Sequence, residues 1–328
     1  MNARDGIGMR PALPGDVSVD LSIDVGGLRL QNPIMPASGT FADGLANTID
    51  LNRLGAFVTK TITAEKRSGN PVPRVAEVQG GMLNAIGIPS KGSEYFIRES
   101  VPFYRGFTPP LIVSISAPTS DGFAELAAAL SDVPGVAAIE ANISCPNIEE
   151  DGKAFAMHAR STATVVKSLR AATRLPLWVK LTPNTGEIAA VAKAAEDEGA
   201  EALVVANTIL GMAIDIRTRR PKLGNVMGGM SGPAVKPIVV RMVYQCHRAV
   251  SIPVIGCGGI STADDAVEFM LAGATAVQVG TATFIRPTAM IDVIDGLGAF
   301  CRQQGMTDLR GLIGAVEDTG FVPFEAMA

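Results

Sequence analysis

Apolar and polar positions alternate with period two from Val19 to Leu30: Val19, Leu21, Ile23 and Val25 share one face, then Gly26-Gly27 intervenes, then Leu28 and Leu30. This pattern predicts a β-hairpin with a tight glycine turn that closes one end of the fold. Beyond Leu30 the alternation gives way to short unbroken apolar runs. Eight of them read as strands: Ile34–Ala37, Ala56–Thr59, Leu111–Ser116, Ala138–Ile143, Leu177–Leu181, Ala202–Ala206, Pro253–Gly256 and Ala276–Val279. A run without alternation belongs to a strand covered on both faces, as in a parallel sheet. Between many of them lie stretches rich in Ala, Glu and Lys that read as helices: Phe123–Leu130, His158–Thr173, Glu187–Glu198, Pro233–Val250 and Ala263–Leu271.

Strands alternating with helices define an α/β fold, and eight units predict a closed (β/α)8 TIM barrel. Two segments are too long for simple connections and form excursions after strands two and six. A doubly wound open sheet would carry a glycine-rich nucleotide turn after its first strand, but Ala37-Ser38-Gly39-Thr40 is not GxGxxG. The expected organisation is a loose tail over residues 1–17, one barrel over 18–305, and an extension of the same domain over 306–328.

Composition narrows the function classes. The chain has 328 residues, 47% of them hydrophobic, enough for one large core. Aromatic residues make up 5% and the net charge is −4, which argues against a base-stacking or phosphate-tracking nucleic-acid surface. No apolar run is long enough to span a membrane, and residues 1–17 have no signal-peptide core, so the expected location is the cytoplasm. The four cysteines, Cys145, Cys246, Cys257 and Cys301, have no CxxC spacing, so neither a disulfide framework nor a metal site follows. His158 and His247 are far apart in sequence and read as surface or packing residues.

In a barrel, polar residues just past the strands converge on one rim. That list contains Ser38-Gly39-Thr40, Lys60-Thr61, Cys145, Lys180, Asn207-Thr208, Gly258-Gly259 and Gly280-Thr281. Cys145 lies in Asn142-Ile-Ser-Cys-Pro-Asn147, where Pro146 prevents an immediate helix and an amide stands on either side of the thiol. A thiol so placed can serve as a base if its thiolate is stabilised; the plain alternative is a small core residue. The glycine turns after strands seven and eight expose backbone N–H groups where barrels hold phosphate, although glycine also simply permits tight turns. Lys60 and Lys180 end apolar strands, so an inward ammonium needs an anionic partner, such as an electron-rich cofactor or an acidic substrate.

Taken together, Asn70-Pro-Val-Pro-Arg74, Gly81-Met-Leu-Asn-Ala-Ile-Gly87, Asn142–Asn147, Val179-Lys-Leu-Thr-Pro183, Asn207-Thr208 and Gly228-Gly-Met-Ser-Gly-Pro-Ala-Val235 resemble the dihydroorotate dehydrogenases. The likeness runs from about Val19 to about Arg302 and is greatest to the catalytic subunit of the NAD-linked, two-subunit class 1B. It implies a barrel carrying one FMN that oxidises dihydroorotate to orotate in pyrimidine synthesis. Carried over by position, it implies that Cys145 is the base for the C5 proton. Lys60, Asn84, Ala85, Ile86, Gly87, Ile88, Asn142, Asn147, Asn207 and Thr208 would then hold the substrate. Ser38, Lys60, Thr61, Ser114, Asn142, Lys180, Ala206 and Gly232 would line the flavin, and Gly258, Gly259, Gly280 and Thr281 would bind its phosphate. Two departures stand out. Ser114 replaces a flavin-contacting asparagine, and Ile148–Ala159 is acidic where a glycine-centred loop is usual.

The chain has no iron–sulfur spacing and no dinucleotide turn of its own. The resemblance therefore implies a partner subunit carrying FAD and a [2Fe–2S] cluster, in a heterotetramer built on a homodimer of this chain. Competing readings are the pyrimidine-site barrel of a dihydropyrimidine dehydrogenase, a tRNA dihydrouridine synthase, a non-catalytic scaffold, and an isomerase using only the phosphate turns. The run Gly81–Gly87 and Asn147 favour dihydroorotate over uracil. Acidity opposes the tRNA enzyme, and Cys145 with two lysines opposes the last two.

Overall fold

The computed structural model describes residues 17–41, 43–144 and 154–318. Strands β1 (Ile23–Val25) and β2 (Leu28–Leu30) form the N-terminal hairpin, with Val25 opposite Leu28. Gly26 (φ 47°) and Gly27 (φ 84°) are both left-handed. Such a turn suits the twist of paired strands and excludes side chains that clash at positive φ. Next come β3 (Ile34–Pro36) and β4 (Phe57–Val58). The first excursion holds β5 (Val75–Val78), β6 (Gly81–Asn84), α1 (Ser93–Tyr95), a π-turn over Phe96–Ser100, and α2 (Val101–Tyr104).

Strict alternation follows: β7 (Leu111–Ile115), α3 (Ser120–Ser131), β8 (Val136–Asn142), α4 (Ala159–Ala172), β9 (Leu177–Lys180), α5 (Ile188–Asp197) and β10 (Ala202–Val205). The second excursion carries β11 (Ile209–Met212), β12 (Ile214–Asp215), β13 (Arg220–Pro221) and β14 (Met227–Ser231). The chain then runs through α6 (Lys236–Ala249), β15 (Val254–Cys257), α7 (Ala263–Leu271), β16 (Ala274–Val279), α8 (Ala282–Ile285) and α9 (Ala289–Gln303).

Eight strands make one parallel sheet in the order β3-β16-β15-β10-β9-β8-β7-β4, the nearly closed barrel expected from the eight apolar runs. The seam between β3 and β4 is bridged by Gly55 N, which donates to Ile34 O at 2.8 Å. A Cβ on Gly55 would lie 2.1 Å from Asn32 O, so the seam closes only over a glycine. Helix starts follow local chemistry. The Thr119 hydroxyl accepts from Gly122 N at the head of α3, and Thr262 and Asp265 form a capping box on α7.

The hairpin seals the end of the barrel where the strands begin. The Trp178 side chain is fully buried, and its Nε1 donates to Gly26 O at 3.1 Å. At the opposite end the two excursions pair with each other. Their strands form a four-stranded antiparallel sheet, β11-β14-β6-β5, that roofs part of the rim. Neither this roof nor α9 is apparent in the apolar pattern. Gly296 and Gly298 interrupt the helical signal of α9, yet a Cβ on Gly296 would stand 2.4 Å from the Ala263 Cβ. The glycine is what lets α9 lie against α7.

Candidate active site

The strand ends deliver their polar side chains in one connected cluster. Asn142 closes β8 and Asn207 follows β10; Ser144 stands between them. Asn207 Nδ2 donates to Ser144 Oγ at 2.5 Å, and Ser144 Oγ donates to Asn142 Oδ1 at 2.5 Å. Asn142 Nδ2 in turn donates to Thr61 Oγ1 at 3.3 Å, and the Thr61 and Ser114 hydroxyls are 2.9 Å apart. Thr208 N donates to Asn207 Oδ1 at 2.8 Å, which fixes that amide's orientation. Residues from β4, β7, β8 and β10 are thus locked into one set of oriented amides and hydroxyls, the form needed to grip a polar planar molecule. Ser144 was not singled out by the sequence. It lies inside the quoted hexapeptide, and its bridging role depends on the curvature that brings Asn207 to Asn142.

Cys145 and Asn147 lie outside the described residues, as does the first half of the acidic segment that follows them, residues 148–153. Ser114 is fully buried, its hydroxyl held by Thr61 and its N–H by Thr59 Oγ1 at 3.1 Å. The shorter side chain therefore serves as a support beneath Thr61.

The roof adds a second wall. Asn84, the last residue of β6, pairs with Gly229 on β14, and its Nδ2 donates to Gly229 O at 3.3 Å. A Cβ on Gly229 would fall 1.8 Å from Thr208 Oγ1, so the roof backbone rests directly on Thr208. Two stretches more than a hundred residues apart, around Asn84 and around Thr208, meet at this glycine. Asn184, which the sequence reading passed over, anchors the same place: its Nδ2 donates to Thr208 O at 3.3 Å and its Oδ1 accepts from Leu210 N at 2.8 Å.

The loop Ala85–Ile88 leaves β6 under tension. Ile88 has φ 49°, a conformation that a β-branched residue seldom adopts. It is held by the preceding motif: Asn70 N donates to Ile86 O at 3.1 Å, and Arg74 Nε donates to Asn70 O at 2.5 Å. A Cβ on Gly87 would meet Asn70 Oδ1 at 2.5 Å, which accounts for the glycine.

The two lysines flank the turn after β3. Lys180 Nζ donates to Ser38 Oγ at 3.2 Å and to Gln278 Oε1 at 3.1 Å, and it lies 3.7 Å from Cys257 Sγ. A Cβ on Gly39 would lie 3.7 Å from Lys60 Nζ, which places that ammonium on the other side of the same turn. Burial pushes the Cys257 thiol pKa up, against the pull of the Lys180 charge. Cys257 is therefore a neutral neighbour of Lys180.

The expected phosphate turns gather at the head of α6. Gly232 (φ 108°) and Gly259 (φ 80°) are left-handed, and a Cβ on Gly259 would lie 2.8 Å from the Lys236 Cβ and 3.0 Å from Gly232 O. Thr281 Oγ1, beyond β16, donates to Ser231 Oγ at 2.8 Å and ties this corner to the roof. Gly280 and Thr281 are half-buried beside Ala37 and Thr40. Surfaces without side chains present backbone N–H groups, which suits a phosphate, while the Lys180–Asn142 side suits a polar ring. Ala206, after a cis Val205–Ala206 peptide, is buried between the two.

Beyond Lys60 a cavity of about 300 Å³ opens between the rim and the α1–α2 stretch, lined by Phe41, Lys91, Phe96, Glu99, Phe103 and Tyr104 among others. Burial raises the Tyr104 pKa to about 12, so its phenol stays protonated. Among the described residues, no group of three or more metal-ligating side chains is placed to hold a metal ion. None of the described helices is long and apolar enough to cross a membrane.

Comparison with known proteins agrees with this geometry. The profile of the dihydroorotate dehydrogenase family matches residues 20–301. A protein of Trichlorobacter lovleyi is 50% identical over 299 residues, covering 90% of this chain and 98% of the relative. A Pelobacter propionicus protein is 48% identical over 300 residues, covering 91% and 99%. One from Bacteroides thetaiotaomicron is 46% identical over 300 residues, also covering 91% and 99%. All three are named dihydroorotate dehydrogenase B (NAD(+)), catalytic subunit. With the barrel, the amide cluster and the family match in agreement, the chain belongs to the dihydroorotate dehydrogenase family of FMN-dependent oxidoreductases.

Proposed function

We propose that the chain oxidises dihydroorotate to orotate as the catalytic subunit of an NAD-linked enzyme of pyrimidine synthesis. The observation that carries this reading is the convergence of Asn84, Asn142, Ser144, Asn207 and Thr208 on one rim, with Ser144 the residue before Cys145 in the chain. Oriented amides from three directions match a ring whose edge alternates N–H and C=O groups and carries a carboxylate.

FMN, when bound, supplies the acceptor for the hydride leaving C6. The glycine turns at Gly232, Gly258, Gly259 and Gly280-Thr281 would take its phosphate. Ser38, Thr61, Ser114, Asn142 and Ala206 would line or support the ring site, with Lys60 on its substrate side. The Lys180 ammonium would lie beside the ring and would favour, electrostatically, negative charge gained there on reduction. Cys145 serves as the general base for the C5 proton, and Asn147 extends the amide wall. Ala85, Ile86, Gly87 and Ile88 close over the substrate.

Electrons then leave through a partner subunit carrying FAD and a [2Fe–2S] cluster. The two subunits form a cytoplasmic heterotetramer around a dimer of this chain. The words "NAD(+)" and "catalytic subunit" in the relatives' names support the NAD linkage and a partner subunit.

The test is direct. The purified chain should be yellow, and dihydroorotate without oxygen should bleach it, whereas dihydrouracil should not. Bleaching by dihydrouracil instead would move the chain to the uracil-reducing enzymes. A colourless chain that takes up no FMN would make it a scaffold.

A further inference from the structure

The barrel interior beneath Lys180 contains an acid that the reaction as described does not use. Glu140 lies on β8 and is fully buried. Its Oε2 accepts from Gln278 Nε2 at 2.6 Å, while its Oε1 has no hydrogen-bond partner among the described residues. Gln278 lies on β16, which β15, β10 and β9 separate from β8 along the sheet, so this bond crosses the barrel interior. The same amide uses its other end on Lys180: Gln278 Oε1 accepts from Lys180 Nζ at 3.1 Å. Glu140 and Gln278 thus form a column that ends at the ammonium on the rim.

Stability gives no sufficient reason for this column. Barrel interiors are filled well by branched apolar side chains, and replacing a buried ionic group by such residues is often neutral or stabilising. The direction of the amide is informative. A primary amide donates only from nitrogen and accepts only at oxygen. With Glu140 accepting from the nitrogen, the oxygen is obliged to face Lys180. A direct ion pair would draw the ammonium down into the barrel. With an amide between them, the ammonium stays level with Ser38 and Cys257, where the flavin ring would rest.

We propose that Glu140 is a positioning residue: through Gln278 it holds the Lys180 ammonium at the flavin site and offsets part of its charge. This rests on the flavoenzyme reading above. The carboxylate therefore lowers the tendency of the bound flavin to accept electrons, while the amide keeps the ammonium at a fixed depth.

The test uses the full chain loaded with FMN. The Glu140→Gln variant keeps the shape and the acceptor oxygen but removes the charge. Its flavin should be easier to reduce by about tenfold in the equilibrium against a reference dye, about 30 mV for a two-electron couple. FMN content should be unchanged. Gln278→Met cuts the column while leaving Glu140 in place. It should also shift the equilibrium, because the Lys180 ammonium loses the amide oxygen that holds it at its depth. A flavin-loaded Glu140→Gln with the wild-type equilibrium overturns the proposal while leaving the assigned reaction intact. A wild-type chain that binds no FMN overturns the reading beneath it. If Glu140→Gln does not fold, a wild-type equilibrium in Gln278→Met is sufficient to refute the column.

Discussion

Where β9 and β10 begin, Gly26 touches the Trp178 ring, Gly27 lies 3.0 Å from Pro176 measured from an ideal Cβ, and a hairpin stops the barrel. Where the same strands end, Lys180, Ala206 and Asn207 open toward a set of hydroxyls, amides and glycine turns. Trp178 and Lys180 are two residues apart on one strand and so point the same way, into the barrel. One ends in a single hydrogen bond that does nothing but close a gap. The other ends in three polar neighbours and a buried acid beyond them. The difference separates a side chain held for packing from one held among polar groups at the candidate site, within one β-strand.

The sharpest way to break this contrast is at the reactive end. Cys145→Ala should keep FMN and bind orotate, yet reduce the flavin roughly 10²–10⁴-fold more slowly, the usual loss of a general base. Stopped-flow bleaching by dihydroorotate measures it, and a wild-type rate would remove Cys145 from the chemistry.

At the closed end the effect should be on folding alone. Gly26→Ala would put a Cβ 2.5 Å from Trp178 Nε1 and 2.8 Å from the Ala202 Cβ, at φ 47°. Strain and overpacking of that kind cost about 1–3 kcal/mol. Denaturant unfolding should show the loss, while the rate of flavin reduction per folded molecule should not change. A slower reaction in this variant would mean that the two ends are coupled.

The smallest expected effect lies on the outer ring of helices. Partial burial alone would raise the Glu196 pKa, but hydrogen bonds from the Ser251 side chain and backbone, with Lys193 alongside, hold it at about 2. A carboxylate depressed in the folded state contributes stability above its unfolded pKa of about 4.3 and loses it as pH falls toward the folded value. The stability gap between wild type and Glu196→Gln should therefore be full at neutral pH and shrink between about pH 4.3 and 2. Flavin chemistry at neutral pH should be the same in both. A gap that persisted below pH 2 would show that the hydrogen bonds survive protonation.

The sequence discloses the barrel because each strand is buried on both faces and so appears as an apolar run. Even β4, with two paired residues, lies within Ala56-Phe57-Val58-Thr59. The hairpin is equally legible, since Gly26-Gly27 between alternating residues has few other meanings. The roof is not, because its strands come from two excursions and four of the five residues of β14 are glycine or methionine. Gly228 and Gly229 read as loop but are close-packing positions against Asn84 and Thr208. Helix α9 is hidden for the same reason. At the site, Asn142, Asn207 and Lys180 are visible as polar residues at strand ends, whereas Asn84 stands in an excursion and is reached only through the family resemblance. Glu140 and Gln278 are not, because each lies within an apolar strand and their contact spans 138 residues. A single acid in such a strand looks like an exposed edge until the barrel closes around it.

Gly229 has a practical corollary. With Thr208 Oγ1 1.8 Å from where a methyl would go, and Asn84 paired across the same residue, the roof and the rim are meshed at one tooth. An attempt to retailor ring preference by enlarging residue 229 would pry Asn84 and Thr208 apart together, so redesign of the pocket has to begin from the side chains at 84 and 208 and leave the glycine alone.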